Sequence, residues 1–160
     1  MNKPESLRAH LLATVAEFQH NPDLLLIFID NGKVCCTAAA SLSFEYSYDL
    51  QIIMTAFAGH PDSVMLPVLG WISINQPELL ENYAKAQNGI QFEADILDKE
   101  KVDLSLTLHL TERVVVGKDT QGNTTVKHAG EPQRVAGYLD PNWVPGSQGN
   151  ATEWVIPDGR

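Results

Sequence analysis

The sequence predicts an α+β fold: a mostly antiparallel β-sheet of long strands, with an N-terminal helix and a central helical pair packed on one face, followed by an extended C-terminal arm. Three observations carry this. Apolar residues recur with a period of two from Leu42 to Ala56 and again from Leu104 to Leu110, as in strands with one buried face. Near the N-terminus the apolar period is the 3.6 residues of a helix instead. Strands and helices do not alternate one by one, which favours antiparallel pairing with helices on one side of the sheet.

The first helix is predicted from Pro4 to Gln19, with Leu7, Leu11, Leu12, Val15 and Phe18 on one stripe. Pro4 suits the first turn, and the chain stops at Asn21-Pro22, because a residue before proline avoids helical angles. Leu24 to Ile29 reads as a strand, and Asn31-Gly32 as the turn of a hairpin that returns through Val34 to Thr37. From Leu42 onward the even positions (Phe44, Tyr46, Tyr48, Leu50, Ile52, Met54) are apolar, while the odd ones are polar as far as Gln51. A strand of this length is expected to bend at a bulge or to project beyond the domain. Pro61 and Asp62 open a helix carrying Val64, Met65, Val68, Leu69 and Ile72, which Pro67 should kink. A short second helix begins at Pro77, and Asn88-Gly89 reads as a turn. Ile90 to Leu97 and Leu104 to Val116 then form a hairpin around a charged loop.

After Gly117 the composition shifts. The last 44 residues hold 7 of the 11 glycines and 4 of the 9 prolines. Residues 1–117 therefore read as the α+β domain and 118–160 as an extended or partly disordered arm, with 124–127 a candidate edge strand. Trp143 and Trp154 stand in the arm without any period. They are candidate partner-docking residues, because aromatic anchors carry much interface energy, although packing against their own domain is an equal alternative.

The formal net charge is -9, with only 11 Lys and Arg among 160 residues. No basic patch is present to neutralise phosphates, so no nucleic-acid contact is expected. No run approaches the length of a membrane span, so no membrane contact is expected either. The adjacent Cys35 and Cys36 point to opposite faces of a strand and read as reduced thiols, one of them packed as a small hydrophobe. With no secretory signal core at the N-terminus, the cytoplasm where the chain is made is the expected compartment.

The search for chemistry yields no catalytic, cofactor-binding or metal-ligating candidates. Phosphate-cradling GxGxxG and GxxxxGK[ST] motifs, a GxSxG elbow, CxxC and HExxH are all absent from the sequence. The histidines, His10, His20, His60, His109 and His128, have no local ligand spacing; His10 and His109 read as solvent-facing. Glu45 and Asp49 share a strand face but lie about 13 Å apart along it, too far for a glycosidase pair. The expectation is a non-enzyme.

Several short segments together resemble a known family. Lys3-Pro4-Glu5-Ser6-Leu7-Arg8, Phe28-Ile29-Asp30-Asn31-Gly32, Ser41-Leu42-Ser43-Phe44-Glu45-Tyr46, Ala58-Gly59-His60-Pro61-Asp62, the Trp71 region, and Asp103-Leu104-Ser105 through Leu110-Thr111-Glu112-Arg113-Val114 are similar, in order, to the tail completion protein R family of P2-like phages. The resemblance spans about residues 3 to 116. It implies a structural phage or prophage tail completion protein without catalytic residues or cofactors. Such a protein would act at the head-proximal end of a contractile tail, touching the tail tube or sheath end and the head–tail connector. The overlong strands and the arm suggest a homo-oligomeric ring. An assembly chaperone or adaptor absent from the finished particle is the alternative.

Overall fold

A computed structural model describes residues 1–36, 41–97 and 101–131. Helix α1 runs Lys3–Thr14 and α2 Ala16–His20, so the single helix expected through Gln19 is broken. Val15 takes extended angles between them. Thr14 Oγ1 donates to the His10 carbonyl and Gln19 Nε2 donates to the Ala13 carbonyl, both at 2.7 Å, side-chain bonds of the kind that compete with the helical ladder. The break lets Val15 and Phe18 both turn into the core.

A 3-10 turn at Pro22–Leu24 leads into β1, Leu25–Cys36, which pairs antiparallel with β2, Phe44–Phe57. The hairpin expected at Asn31-Gly32 is not formed: β1 passes straight through it. The register jumps between Asp30↔Asp49 and Lys33↔Ser47, so residues 31 and 32 bulge outward. Asn31 supplies the left-handed φ of 52° that such a bulge needs, and its Nδ2 donates to Asp49 Oδ2 at 2.9 Å. An Asn-Gly pair serves a bulge as readily as a turn. The long partner strand decides between them by offering pairing on both sides.

The expected bend in β2 is also present. Its register jumps between Met54↔Leu104 and Phe57↔Val102, with Ala56 at a φ of 50°. Asp103 Oδ1 accepts the Ala56 N–H at 2.6 Å and fixes the bulge. The jump shifts the buried phase from even positions to Phe57.

Helix α3, Asp62–Asn75, runs through Pro67 without interruption. Two short helices follow, α4 at Glu78–Glu81 and α5 at Tyr83–Gly89. Asn88-Gly89, expected as a turn, closes α5 instead. A Cβ on Gly89 would sit 2.6 Å from Leu79 Cδ2, so the glycine allows close packing there. Strands β3, Ile90–Ile96, and β4, Val102–Lys118, form the expected hairpin, and β5, Thr124–His128, adds to the far end of β4.

The sheet order is β1-β2-β4-β3, with β5 also on β4. On the β4 edge away from β2, β3 covers positions 102–108 and β5 covers 114–118. Even residues of β2 and β4 (Leu50, Ile52, Leu104, Leu106, Leu108) are buried against Leu7, Leu11, Phe18, Val68 and Ile72 of the helices. The fold class is therefore the expected one. His10, expected to face solvent, instead places Nε2 3.1 Å from the Pro67 carbonyl and ties α1 to α3. Trp71 Nε1 donates to Ser6 Oγ at 3.0 Å across the same interface. Both cysteines lie exposed at the end of β1, not one of them packed inside. The bulge has shifted the strand's phase, and the helical layer does not reach that end.

Candidate assembly surface

Among the described residues, a short stretch of the β4 edge between β3 and β5 has no strand partner and is closed by a polar seam. The Arg113 carbonyl accepts the Ala129 N–H at 2.9 Å, and the Thr111 N–H donates to Gln76 Oε1 at 3.2 Å. Gln76 is buried between α3 and α4; it also accepts from Lys3 Nζ at 2.5 Å and donates to Thr111 Oγ1 at 3.1 Å. Lys3 Nζ reaches Glu131 Oε1 at 2.8 Å as well.

Glu112 is the centre of this seam. It is 4 % exposed and lies on the inward, otherwise apolar phase of β4. Its oxygens accept from Tyr48 O–H at 2.5 Å, Asn2 N–H at 2.7 Å and Lys3 N–H at 3.2 Å, and His128 Nδ1 lies 3.2 Å away. Burial alone would push this carboxyl upward, but the Tyr48 hydroxyl and the two backbone N–H groups outweigh it and hold it below the usual range. Burial, then the bond to Glu112, pushes the Tyr48 phenol above its ordinary range. A cleft of about 280 Å³ opens beside the seam, between Lys3, Ser6, Asn75 and Glu131. Because Glu112's acceptor positions are occupied by the chain's own donors, it fastens the N-terminus and β5 to the sheet.

The outer face of the sheet is mainly polar over β2 and β4, with Ile53 and Val115 as exceptions. His109 Nδ1 sits 2.9 Å from Asp49 Oδ1, and the bonds from His109 and then Asn31 hold Asp49 below the usual carboxylate range. Glu45 faces Arg113 instead, at 3.9 Å. The two carboxylates thus have separate partners. Among the described residues no three His, Cys, Asp or Glu side chains cluster as a metal site, and no helix is long and apolar enough to cross a membrane.

The sheet ends on β1, over 12 residues, and on β3, over 7, each pairing on one side only among the described residues, as β5 beside β3 also does. Apolar side chains stand exposed on both: Leu26, Phe28 and Val34 on β1, Phe92 and Ile96 on β3. Such edges are templates for pairing with another chain. Trp143 and Trp154 lie outside the described residues. Sequence reasoning passed over Glu112, Tyr48 and Gln76. For the first two the signal was present, since 48 and 112 fall in phase with the buried positions of their strands.

An α+β domain whose polar groups fasten its own chain, and whose open strands carry exposed apolar side chains, has the features of a protein that associates with others. The comparisons with known proteins identify which. A family model for P2 phage tail completion protein R (GpR) matches residues 1–132, and the chain belongs to that family. The match runs past Gly117 and includes β5. The chain is 43% identical over 132 residues to tail completion protein R of Escherichia phage P2, covering 82% of this chain and 84% of that protein. No solved structure matches. Membership carries the role the family's name states, completion of a phage tail, a structural step in virion assembly.

Proposed function

We propose that this chain closes the head-proximal end of a contractile phage tail as a homo-oligomeric ring, without catalysis, before the tail joins the head. The observation that carries the ring is the pair of open strands at opposite ends of one sheet, β1 and β3. Pairing the β1 of one copy with the β3 of the next is a head-to-tail contact, which closes into a ring when the rotation permits. Sixfold closure would match the symmetry of the tail. Within this reading the partners are the tail tube or sheath end on one side and the head–tail connector on the other. The protein is made in the host cytoplasm and stays in the virion tail; the arm expected over 118–160 begins only after β5, which belongs to the sheet.

Light scattering of the purified chain over a range of concentrations tests the ring. A species of six chains, each 17.6 kDa, that Val34→Lys on the β1 edge dissociates is the expected result. A strict monomer that also fails to bind isolated tail tubes would sink the proposal. Absence of the chain from purified virions would make it an assembly factor instead.

A further inference from the structure

Among the described residues, the helix side of β3 is apolar and, beyond Ile90, uncovered. Phe92, Ala94 and Ile96 stand opposite Leu106, Leu104 and Val102 of β4, and directly opposite residues share one face of a sheet. Leu104 and Leu106 are fully buried beneath the helices, yet Phe92 is 65% exposed and Ile96 84%. The helical layer therefore stops between β4 and β3.

The described chain ends on the helix side of the sheet, farther along the same β4 edge. After β5 it follows the same β4 edge that β3 occupies, with Ala129 bonded to Arg113. Glu131 then pairs with Lys3 of α1, on the helix side of the sheet. Counting β4 register positions, Phe92 lies opposite a residue seven places from Arg113 and Ile96 opposite one eleven places away. These are roughly 23 and 36 Å at the rise of a strand. Trp143 is twelve residues beyond Glu131, an extended reach of about 40 Å. The intervening segment carries Val135, Tyr138 and Leu139 as further apolar groups, and only Arg134 and Asp140 as charges, of opposite sign. It therefore loses little on leaving water. A tethered segment meets a nearby face at an effective concentration in the millimolar range, well above that of any separate molecule in dilute solution.

We propose that residues 132–160 of each chain fold back across the helix side of β3, with Trp143 seated against Phe92. The tail then supplies the cover that the helices do not, and one aromatic anchor contributes most of the docking. This stands apart from the ring, because it uses the face of β3 and leaves its edge open for a neighbour.

The test is photocrosslinking of the full chain carrying Phe92→p-benzoylphenylalanine, with isotopically labelled and unlabelled chains mixed. An adduct within one chain, to residues 132–160, is expected. Adducts confined to residues 1–131, adducts joining labelled to unlabelled chains, or no adduct at all would overturn the proposal. A second measurement leaves residue 92 untouched: fluorine NMR of the unsubstituted chain grown on 5-fluorotryptophan, with Trp143 assigned by Trp143→Phe. Its resonance should be shifted from that in a free peptide of residues 132–160, and Phe92→Ser in the full chain should return it there. Coincidence of the two resonances without that substitution rules out the docking.

Discussion

Replacing Glu112 by glutamine removes a charge but almost no volume, so it isolates the hydrogen bonding of the seam. In the native protein the carboxylate takes hydrogens from Tyr48, Asn2 and Lys3 at 2.5, 2.7 and 3.2 Å. If the amide oxygen keeps Tyr48 and Lys3, the new NH₂ group faces the Asn2 N–H, donor against donor. His128 can accept one amide hydrogen, but the Asn2 N–H stays unmatched. An unmatched donor in a partly buried site costs about 1–3 kcal/mol, and losing charge assistance on the remaining bonds adds about 1 kcal/mol. Urea unfolding at pH 7 should therefore show Glu112→Gln less stable by about 2–4 kcal/mol. Tyr48→Phe should cost about 1–2 kcal/mol, and the double variant less than the sum by about 1 kcal/mol. The acid limb supplies an independent check. The folded-state pKa of Glu112 is depressed, so its contribution is present above the unfolded value of about 4.3 and is lost as pH falls through the folded value. The gap between wild type and Glu112→Gln should shrink as the pH drops below about 4. A cost under about 0.5 kcal/mol at pH 7, within the range of ordinary surface changes, or a gap that does not shrink in acid, would refute the reasoning.

Further outcomes follow from the bulges and the core. Asp103→Ala removes the acceptor that fixes Ala56 at 2.6 Å and should cost about 1–2 kcal/mol, read as a lower melting temperature. Gly59→Ala places a Cβ 2.6 Å from Cζ of the buried Phe57 ring, and calorimetry should show about 1–3 kcal/mol lost to overpacking. Leu106→Ala, at a position of 0% exposure in the middle of the sheet, should cost about 2–5 kcal/mol in urea unfolding.

Much of the architecture could be read from periodicity. The alternation from Leu42 to Ala56 marks β2, its excessive length forecasts the bulge at Ala56, and the runs after Ile90 and Leu104 mark the β3–β4 pair. Two of the differences, at Asn31-Gly32 and Asn88-Gly89, share one cause: a special local conformation need not be a change of direction. Asn31 is left-handed, as its neighbour Gly32 suggested, but in a strand that continues. Gly89 is also special, but for its contact with Leu79 rather than for a turn. Whether the chain reverses at such points depends on what the partner element offers, and no short window contains that. The break at Val15 likewise rests on Gln19 reaching the Ala13 carbonyl, a choice among bonds of similar strength. The seam was half legible. A glutamate at 112 and a tyrosine at 48, each in the phase of buried leucines, mark inward polar groups, but their meeting depends on a register that joins residues 64 positions apart. The open face of β3 was legible as apolar but not as uncovered, because sequence does not say where a helical layer stops.

The β2–β4 pairing sets how the chain must be born. Its partners range from Phe57 and Val102, 45 residues apart, to Phe44 and Val114, 70 apart. Non-local pairing of this kind forms slowly, on the millisecond-to-second scale. During synthesis at about 5–20 residues per second, β1 and β2 emerge several seconds before β4, so β2 waits with its long inner edge unpaired and its apolar face open. Translation speed, and whatever shields nascent strands in the cell that makes it, will therefore govern how much of this protein folds in time for tail assembly.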